Sequence, residues 1–290
     1  MTTVSDPQAR RRRRRLRRAL RSVPSWLYVV LSAFVVLPPV AWTLLTSLKP
    51  EEDTIKFPPT WIPDPFSLAA YEGMATGTNI RFFVNSLIYA GGAIVLSLAV
   101  CIPAAYVATR YRSRRMEALM NGILVLSMVP AIVVFIGLYA MFVQTSLINS
   151  YPLLIVVFTA LICGQTILFL RNFIENIPVE IEEAAAIDGC TRPQILRRII
   201  LPLIRPGIAA VAIFIFVFVW NDYLVGTVLA TTEDMKTVQN GIVRYLQTGF
   251  GSFWSLFSAF VVVAFSPVLI IFAAFQKWFI AGMTSGGVKG

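Results

Sequence analysis

Long apolar runs separated by short charged segments dominate the pattern along this 290-residue chain. A helix needs about 20 mostly apolar residues to cross the hydrocarbon core of a bilayer, which is about 30 Å thick. Six runs reach that length, at residues 24–48, 83–109, 118–143, 152–170, 207–230 and 253–276. The pattern therefore predicts an all-α membrane protein with six transmembrane helices. We find no internal repeat, which disfavours a secondary carrier built from two similar halves.

Positive charge lies mainly in alternate loops. Residues 1–22 hold nine Arg, residues 110–117 hold four, residues 171–206 hold five, and two Lys follow residue 276. These segments carry 20 of the 25 Lys and Arg, and an excess of Lys and Arg marks cytoplasmic loops. The distribution predicts that both termini are cytoplasmic. The first run is also longer than the apolar core of a signal peptide, about 7–15 residues, so we expect it to be a permanent span.

Composition excludes several functions. The chain is 57% hydrophobic and 14% charged, and it contains no histidine. Histidine-based catalytic triads, histidine metal ligands and histidine pH switches are therefore excluded. The three cysteines are far apart in the sequence and form no CxxC motif, so neither a disulfide framework nor a zinc site is indicated.

The net charge of +10 comes largely from the Arg-rich residues 1–22. This segment has two interpretations. It binds nucleic acid, or it keeps the N-terminus inside the cell and contacts anionic lipid. Because the run adjoins a span and lacks interleaved aromatic residues, we favour the second. The predicted external loop 49–81 is rich in Pro and aromatic residues, and there Trp61 and Phe66 suit either an external partner or anchoring at the membrane surface.

The cytoplasmic segment 171–206 has the most specific local pattern. Pro178 and the three glutamates that follow it are typical of a helix N-terminus, where carboxylates interact favourably with the helix dipole. Gly189 is the residue type that commonly ends a helix in a left-handed conformation. Thr191 is a typical cap for a second helix, which we expect to extend to about Ile200. The segment is predicted to form a helix, a break and a helix.

Small and acidic side chains characterise the first of these helices. Ile181, Ala184, Ala185 and Asp188 follow the i, i+3, i+4, i+7 spacing of one helix face. Alanine lets another surface approach the backbone closely, and the acidic residues offer anchors for arginines of a partner. Two interpretations are open: the helix docks in a cleft of a soluble partner, or it lies at the membrane interface.

The same segment resembles the signature loop of permeases from ATP-binding-cassette (ABC) importers: E-A-A, three residues, G, nine residues, I, one residue, L-P. The matching positions are Glu183, Ala184, Ala185, Gly189, Ile199, Leu201 and Pro202. The spacing agrees throughout. In that family the loop docks on the ATPase subunit, and the resemblance implies this role for Glu183, Ala184, Ala185, Asp188, Gly189, Leu201 and Pro202.

Two other segments resemble maltose-type sugar permeases of the second-subunit kind. Residues 276–290, which end in Gly-Gly-Val-Lys-Gly, resemble the C-terminus of those permeases, and residues 218–224 resemble their fifth-span motif. The resemblance implies that a carbohydrate is translocated. It also implies that Gly286, Gly287 and Lys289 in the tail contact the ATPase.

The resemblance further implies the fold and the partners. The expected fold is that of a type I ABC importer permease in the bacterial plasma membrane. The expected partners are a second homologous permease, two cytoplasmic ATPase subunits and an extracytoplasmic solute-binding protein. The chain has no GxxxxGK[ST] motif, so we predict that it is not an enzyme and that ATP and Mg²⁺ bind the ATPase subunits, with no cofactor on this chain. Alternatives are a non-sugar solute such as a glycerol phosphate derivative, or an autonomous channel or secondary carrier.

Asp222 lies inside the fifth apolar run, beside Trp220, Asn221 and Tyr223. An ionisable residue within a span usually faces the bundle interior or a water-filled path. These four residues therefore have two interpretations, as the lining of a translocation path or as a network that holds the fifth helix to its neighbours.

We divide the chain into four parts. They are a cytoplasmic basic tail (1–22), the first transmembrane helix with an external loop (23–81), the core domain (82–281, including the coupling loop 171–206) and a Gly-rich cytoplasmic tail (282–290).

Overall fold

The computed structural model describes residues 25–111, 113–127, 129, 131–145, 147–248 and 253–284. Within these residues the regular structure is helical and includes no strand, so the prediction of an all-α protein is confirmed. The predicted basic tail, residues 1–22, lies outside the described residues. Of the predicted Gly-rich tail 282–290, residues 282–284 belong to the last helix, Trp254–Thr284. The remainder, with Gly286, Gly287 and Lys289, lies outside the described residues.

The structure describes thirteen α-helices or helical segments within the stated residues. In chain order they are α1 (Ser25–Thr46), α2 (Glu51–Thr54), α3 (Ala69–Met74), α4 (Gly77–Arg110), α5 (Arg114–Ser127), α6 (Ala131–Gln144), α7 (Tyr151–Glu175), α8 (Val179–Ile187), α9 (Arg192–Leu203), α10 (Arg205–Trp220), α11 (Leu224–Leu229), α12 (Val238–Thr248) and α13 (Trp254–Thr284). A 3₁₀ turn at Glu233–Met235 lies between α11 and α12.

Among these helices, four contain stretches that are long and apolar enough to cross a membrane: Trp26–Thr46, Gly77–Arg110, Tyr151–Glu175 and Trp254–Phe275. The pair α9 and α10, bent by 79°, adds a fifth if it is counted as one span. The predicted run 118–143 falls on α5 and α6, which have 14 residues each and are individually shorter than a span. The count of six spans and their orientation remain predictions.

The predicted single helix over residues 207–230 is wrong. Helix α10 ends at Trp220, and the helical backbone resumes only at Leu224. The cause is local, because the carboxylate of Asp222 accepts a hydrogen bond from the N–H of Val225 at 2.7 Å. A short acidic side chain that bonds to nearby backbone in this way favours a helix start over a helix interior.

Helices α4, α7, α10 and α13 form the packed centre. Helix α4 runs along α7, and α10 lies against both of them and against α13. Trp220 is buried at the end of α10, donates from Nε1 to the carbonyl of Ala264 in α13 at 3.1 Å, and stacks on Phe216. Small residues permit close approach of helices. At Gly207 of α10 a Cβ atom would lie only 2.4 Å from the ring of Phe173 in α7.

The segment between α1 and α4, which is predicted to be external, is anchored to the end of α1. Lys49 is buried, its ammonium lies 4.5 Å from the ring centroid of Trp42, and it donates to the carbonyl of Thr60. Trp61 packs edge-on against Trp42 at 5.3 Å, while most of its own surface is exposed. Whether Trp61 contacts an external partner or anchors the loop at the membrane surface remains a prediction.

Candidate functional site

Residues 178–203, within the predicted coupling loop 171–206, form the predicted helix, break and helix and are called the coupling segment after their predicted role. Helix α8 ends in a Schellman motif, in which the N–H of Gly189 donates to Ala186 O at 3.1 Å and the N–H of Cys190 donates to Ala185 O at 2.9 Å. Gly189 has φ of +86°, the left-handed conformation that the motif requires. Its place in this motif explains why glycine suits the position.

A capping box begins the next helix. The backbone N–H of Thr191 donates to the side chain of Gln194 at 2.8 Å, and the Thr191 side chain accepts from the backbone of Gln194. A π-helical turn at Leu196–Ile200 precedes Pro202, which has no N–H to donate to the carbonyl one turn earlier. The end of α8 and the start of α9 are therefore both closed by hydrogen bonds within the chain.

Helix α9 then meets α10 at a bend of 79°. The ring of Pro206, the second residue of α10, cannot follow a continuous helix without clashing with the carbonyl four residues earlier. The coupling segment consequently lies at a steep angle to the helix that it feeds into the bundle.

The predicted docking residues lie on different sides of this segment. Glu183, Ala184, Asp188, Gly189 and Pro202 are exposed, Leu201 is half-buried, and Ala185 is buried against the rest of the chain. The predicted face of Ile181, Ala184, Ala185 and Asp188 is therefore split, with Ala185 turned inward. Sequence reasoning missed Ile187, which is 87% exposed at the end of α8.

Glu182 differs from its acidic neighbours. The sequence grouped it with the anchors for a partner's arginines, but it is buried and pairs within the chain. Its Oε1 accepts from Arg110 Nε at 2.6 Å, and its Oε2 accepts from the hydroxyl of Tyr106 at 2.7 Å. Both donors lie at the cytoplasmic end of α4 by the predicted orientation.

A polar cleft of about 310 Å³ lies at the opposite end of the bundle. Three elements line it, namely α11, the loop after it and α12, through Tyr223, Thr227, Thr231, Lys236, Asn240, Val243, Arg244 and Gln247. Asn240 is fixed in this wall because it donates to Thr227 Oγ1 at 2.8 Å and accepts from the Thr237 N–H at 3.1 Å. Lys236 and Arg244 both pair with Glu233, which reduces the positive charge of the cleft.

The four residues proposed for a translocation path lie in different surroundings. Tyr223 lines the cleft. Asn221 is exposed and donates to the carbonyl of Val217 at 2.8 Å, Asp222 caps α11, and Trp220 is buried in the core. Their role in translocation remains a prediction. Within the described residues, no cluster of three or more potential metal ligands occurs.

Comparison with known proteins supports the same family. The family model "Binding-protein-dependent transport system inner membrane component" matches residues 101–285, more than half of the chain. The chain is 32% identical over 268 residues to the diacetylchitobiose uptake system permease protein DasC of Streptomyces coelicolor, covering 92% of this chain and 96% of DasC. It is also 32% identical over 253 residues to the sulfoquinovosyl glycerol transport system permease protein SmoH of Agrobacterium fabrum, covering 87% and 88% of the two chains.

The fold also has a counterpart among solved structures. A chain of a bacterial ABC transporter involved in the import of the acidic polysaccharide alginate superimposes with a TM-score of 0.73 at 21% identity. The superposition covers 90% of this chain and 97% of that one. This likeness shows the fold of an ABC importer permease. On the family match and the two relatives, the chain belongs to the inner-membrane permease components of binding-protein-dependent transport systems.

Proposed function

We propose that this chain is one of two homologous permeases in an ATP-driven importer that moves a saccharide into the cell by alternating access. A solute-binding protein delivers the solute to the outer face. Two cytoplasmic ATPase subunits bind ATP and Mg²⁺ and close on each other. Their closure is transmitted through the coupling segment to the bundle, and this chain performs no chemical step.

The coupling segment is the observation that carries the proposal. The Schellman motif after α8 and the capping box at Thr191 make it a preformed element. Ile187 is 87% exposed at the end of α8, and a cleft in another protein would bury this apolar surface. Glu183, Ala184 and Asp188 are also exposed near Ile187, so this small surface carries two negative charges.

An aspartate at Ile187 tests this docking. Ile187→Asp places a charge where we expect an apolar pocket, and it should prevent the ATPase subunits from co-purifying with the permeases and abolish ATP-driven uptake into proteoliposomes. Ile55→Asp is the matched control, because Ile55 is also exposed, at 63%, but lies on the predicted external side. Glu183→Lys and Gly189→Pro should likewise abolish uptake while the protein remains in the membrane.

If the ATPase subunits still co-purify with the Ile187→Asp variant at the wild-type level, docking through α8 is contradicted. Equal loss in Ile187→Asp and Ile55→Asp would show a general folding defect instead.

The polar cleft at the end of the bundle opposite the coupling segment supports a saccharide as the transported solute. Tyr223 offers an aromatic surface for the apolar face of a sugar ring, while the side-chain amide of Gln247 offers a donor and an acceptor for hydroxyl groups. The names of DasC and SmoH refer to a disaccharide and to a sugar–glycerol conjugate. These names support a carbohydrate or glycoside for this chain as well.

A panel of labelled solutes tests the substrate class. The cognate binding protein is assayed with di- and oligosaccharides, sugar–glycerol conjugates and a glycerol phosphate diester, and the solutes that bind are then used for uptake. We expect saccharide binding and a loss of uptake in Tyr223→Ala with ATPase co-purification unchanged. Binding of the phosphodiester alone would favour the non-sugar alternative.

We propose that the chain spans the bacterial plasma membrane with both termini in the cytoplasm. Reporter fusions at each terminus and after Asp64 test this orientation, and an external signal from either terminus would contradict it. We further propose that the tail residues Gly286, Gly287 and Lys289 contact the ATPase. Deletion of residues 286–290 should then weaken the dependence of ATP hydrolysis on the binding protein.

A further inference from the structure

A buried ion pair joins the coupling segment to a helix far away in the sequence. Arg110, the last residue of α4, donates from Nε to Glu182 of α8 at 2.6 Å, and the two side chains are 11% and 2% exposed. The second carboxylate oxygen of Glu182 accepts from Tyr106, one turn earlier in α4, at 2.7 Å. Both oxygens of this carboxylate are therefore held by α4.

The guanidinium of Arg110 has a second set of partners. Its Nη2 donates to the carbonyls of Ile174 at 3.1 Å and Ile177 at 2.9 Å, at the end of α7 and in the link to α8. The carbonyl of Ile174 also accepts from the N–H of Ile177 at 3.1 Å, so Arg110 adds a second hydrogen bond to a turn that the backbone itself closes. Both accepting carbonyls lie where the chain leaves α7. One side chain thus connects the end of α4, the end of α7 and the start of the coupling segment.

This connection uses features that are particular to arginine. The planar guanidinium presents donors in two directions, toward a carboxylate on one side and toward two carbonyls on the other. A lysine ammonium is a single point charge and cannot occupy both positions. Because Glu182 is buried, its negative charge also requires a partner at short range.

We infer that Arg110 is a positioning residue for energy coupling, which makes α8 move together with α4 and α7. This inference rests on the proposed function. Along the chain, α8 passes its motion to the core only through its link to α7 and through α9 and the bend at Ile204. The Arg110–Glu182 pair gives α8 a direct connection to α4, so that displacement of the docked helix reaches two central helices at once.

The test compares variants in the complete importer. Arg110→Lys and Glu182→Gln are reconstituted with the partner permease, the ATPase subunits and the binding protein. Uptake and ATP hydrolysis are measured per assembled complex. We expect the ratio of solute transported to ATP hydrolysed to fall about tenfold in Arg110→Lys, while the ATPase still co-purifies. The matched control is Arg171→Lys, whose pair with Glu175 on α7 is 29% and 33% exposed, and its ratio should stay at the wild-type value.

The double variant Arg110→Gln, Glu182→Gln removes both buried charges and keeps the complex testable if the single variants assemble poorly. We expect it to assemble but to retain the low transport ratio. A lower yield of complex with a wild-type ratio in every variant would mean that Arg110 only stabilises the fold, and would overturn the inference. Failure of the proposed function is distinguishable, because the wild type itself would then show no ATP-driven uptake.

Discussion

Replacement of Gly207 by alanine measures how closely α10 approaches α7. The added Cβ would lie 2.4, 2.6 and 2.7 Å from Cγ, Cδ2 and Cδ1 of Phe173. Carbon atoms at rest are about 3.5–4.0 Å apart, so the ring or the helix has to withdraw by about 1 Å. Because the three atoms belong to one rigid ring, rotation of a flexible side-chain end does not relieve the clash.

The expected loss of stability combines two opposing effects. Overpacking of a filled site costs roughly 1–3 kcal/mol, and we take about 3 kcal/mol for so short an approach. Alanine in place of glycine returns about 1 kcal/mol in a helix interior. Gly207→Ala should therefore lower the free energy of unfolding by about 2 kcal/mol.

In the assay, SDS is added to the full chain in mixed detergent micelles, and its unfolding is monitored by tryptophan fluorescence. Phe173→Leu removes the ring, so the double variant should be more stable than the sum of the two single effects predicts. Gly91→Ala in α4 is the control, because a Cβ at that position meets no atom within 4 Å, and it should be at least as stable as the wild type. If Gly207→Ala is as stable as Gly91→Ala, or Phe173→Leu gives no relief, the close approach does not limit this contact.

Three further substitutions or treatments follow from local geometry. Gly189→Ala places a side chain on a residue in the left-handed conformation, which costs about 1–2 kcal/mol of conformational free energy. Uptake per assembled complex should therefore fall. Wild-type uptake would show that the Schellman motif tolerates a side chain at this position. Asp222→Ala removes the hydrogen bond at the start of α11, which costs about 1 kcal/mol of stability, and should lower uptake by vesicles without loss of assembly. Asp222→Asn keeps an accepting oxygen and should transport normally. Equal uptake by the two variants would refute the capping role. The sulfurs of Cys101 and Cys163 lie 3.4 Å apart, so diamide should oxidise the two thiols to a disulfide while being reduced to its hydrazine. Thiol titration of the denatured chain should then find one free thiol, and three remaining thiols would contradict the geometry.

How far the sequence predicts this protein depends on the range of the interaction. The ends of α8 and α9 were predictable because Gly189 and Thr191 act through hydrogen bonds to residues at most five positions away. The break after Trp220 was missed although its cause is equally local. The apolar run of 24 residues predicted one continuous helix, and the single carboxylate of Asp222, which starts α11, was not interpreted as a break.

Longer-range features had no signal in a single sequence. Arg110 and Glu182 are 72 residues apart, and nothing in either local pattern identifies them as partners. The exposed Ile187 lies inside the matched motif, between Ala185 and Gly189, but its exposure depends on which side of α8 packs on the bundle. The shape of the polar cleft likewise depends on how α11 and α12 pack together.

The hydrogen-bonded turn between α8 and α9 has a consequence for the free-energy cost of each cycle of the proposed importer. Ordering a flexible residue costs about 1–2 kcal/mol of conformational entropy. A loop that ordered only on docking would incur this cost each time the ATPase subunits engaged it. Here the turn from Ala185 to Gln194 is closed by its own backbone and side-chain hydrogen bonds, so its entropy is lost once, when the chain folds. The free energy of closure by the ATPase subunits is then available to move helices rather than to order the loop that carries the motion.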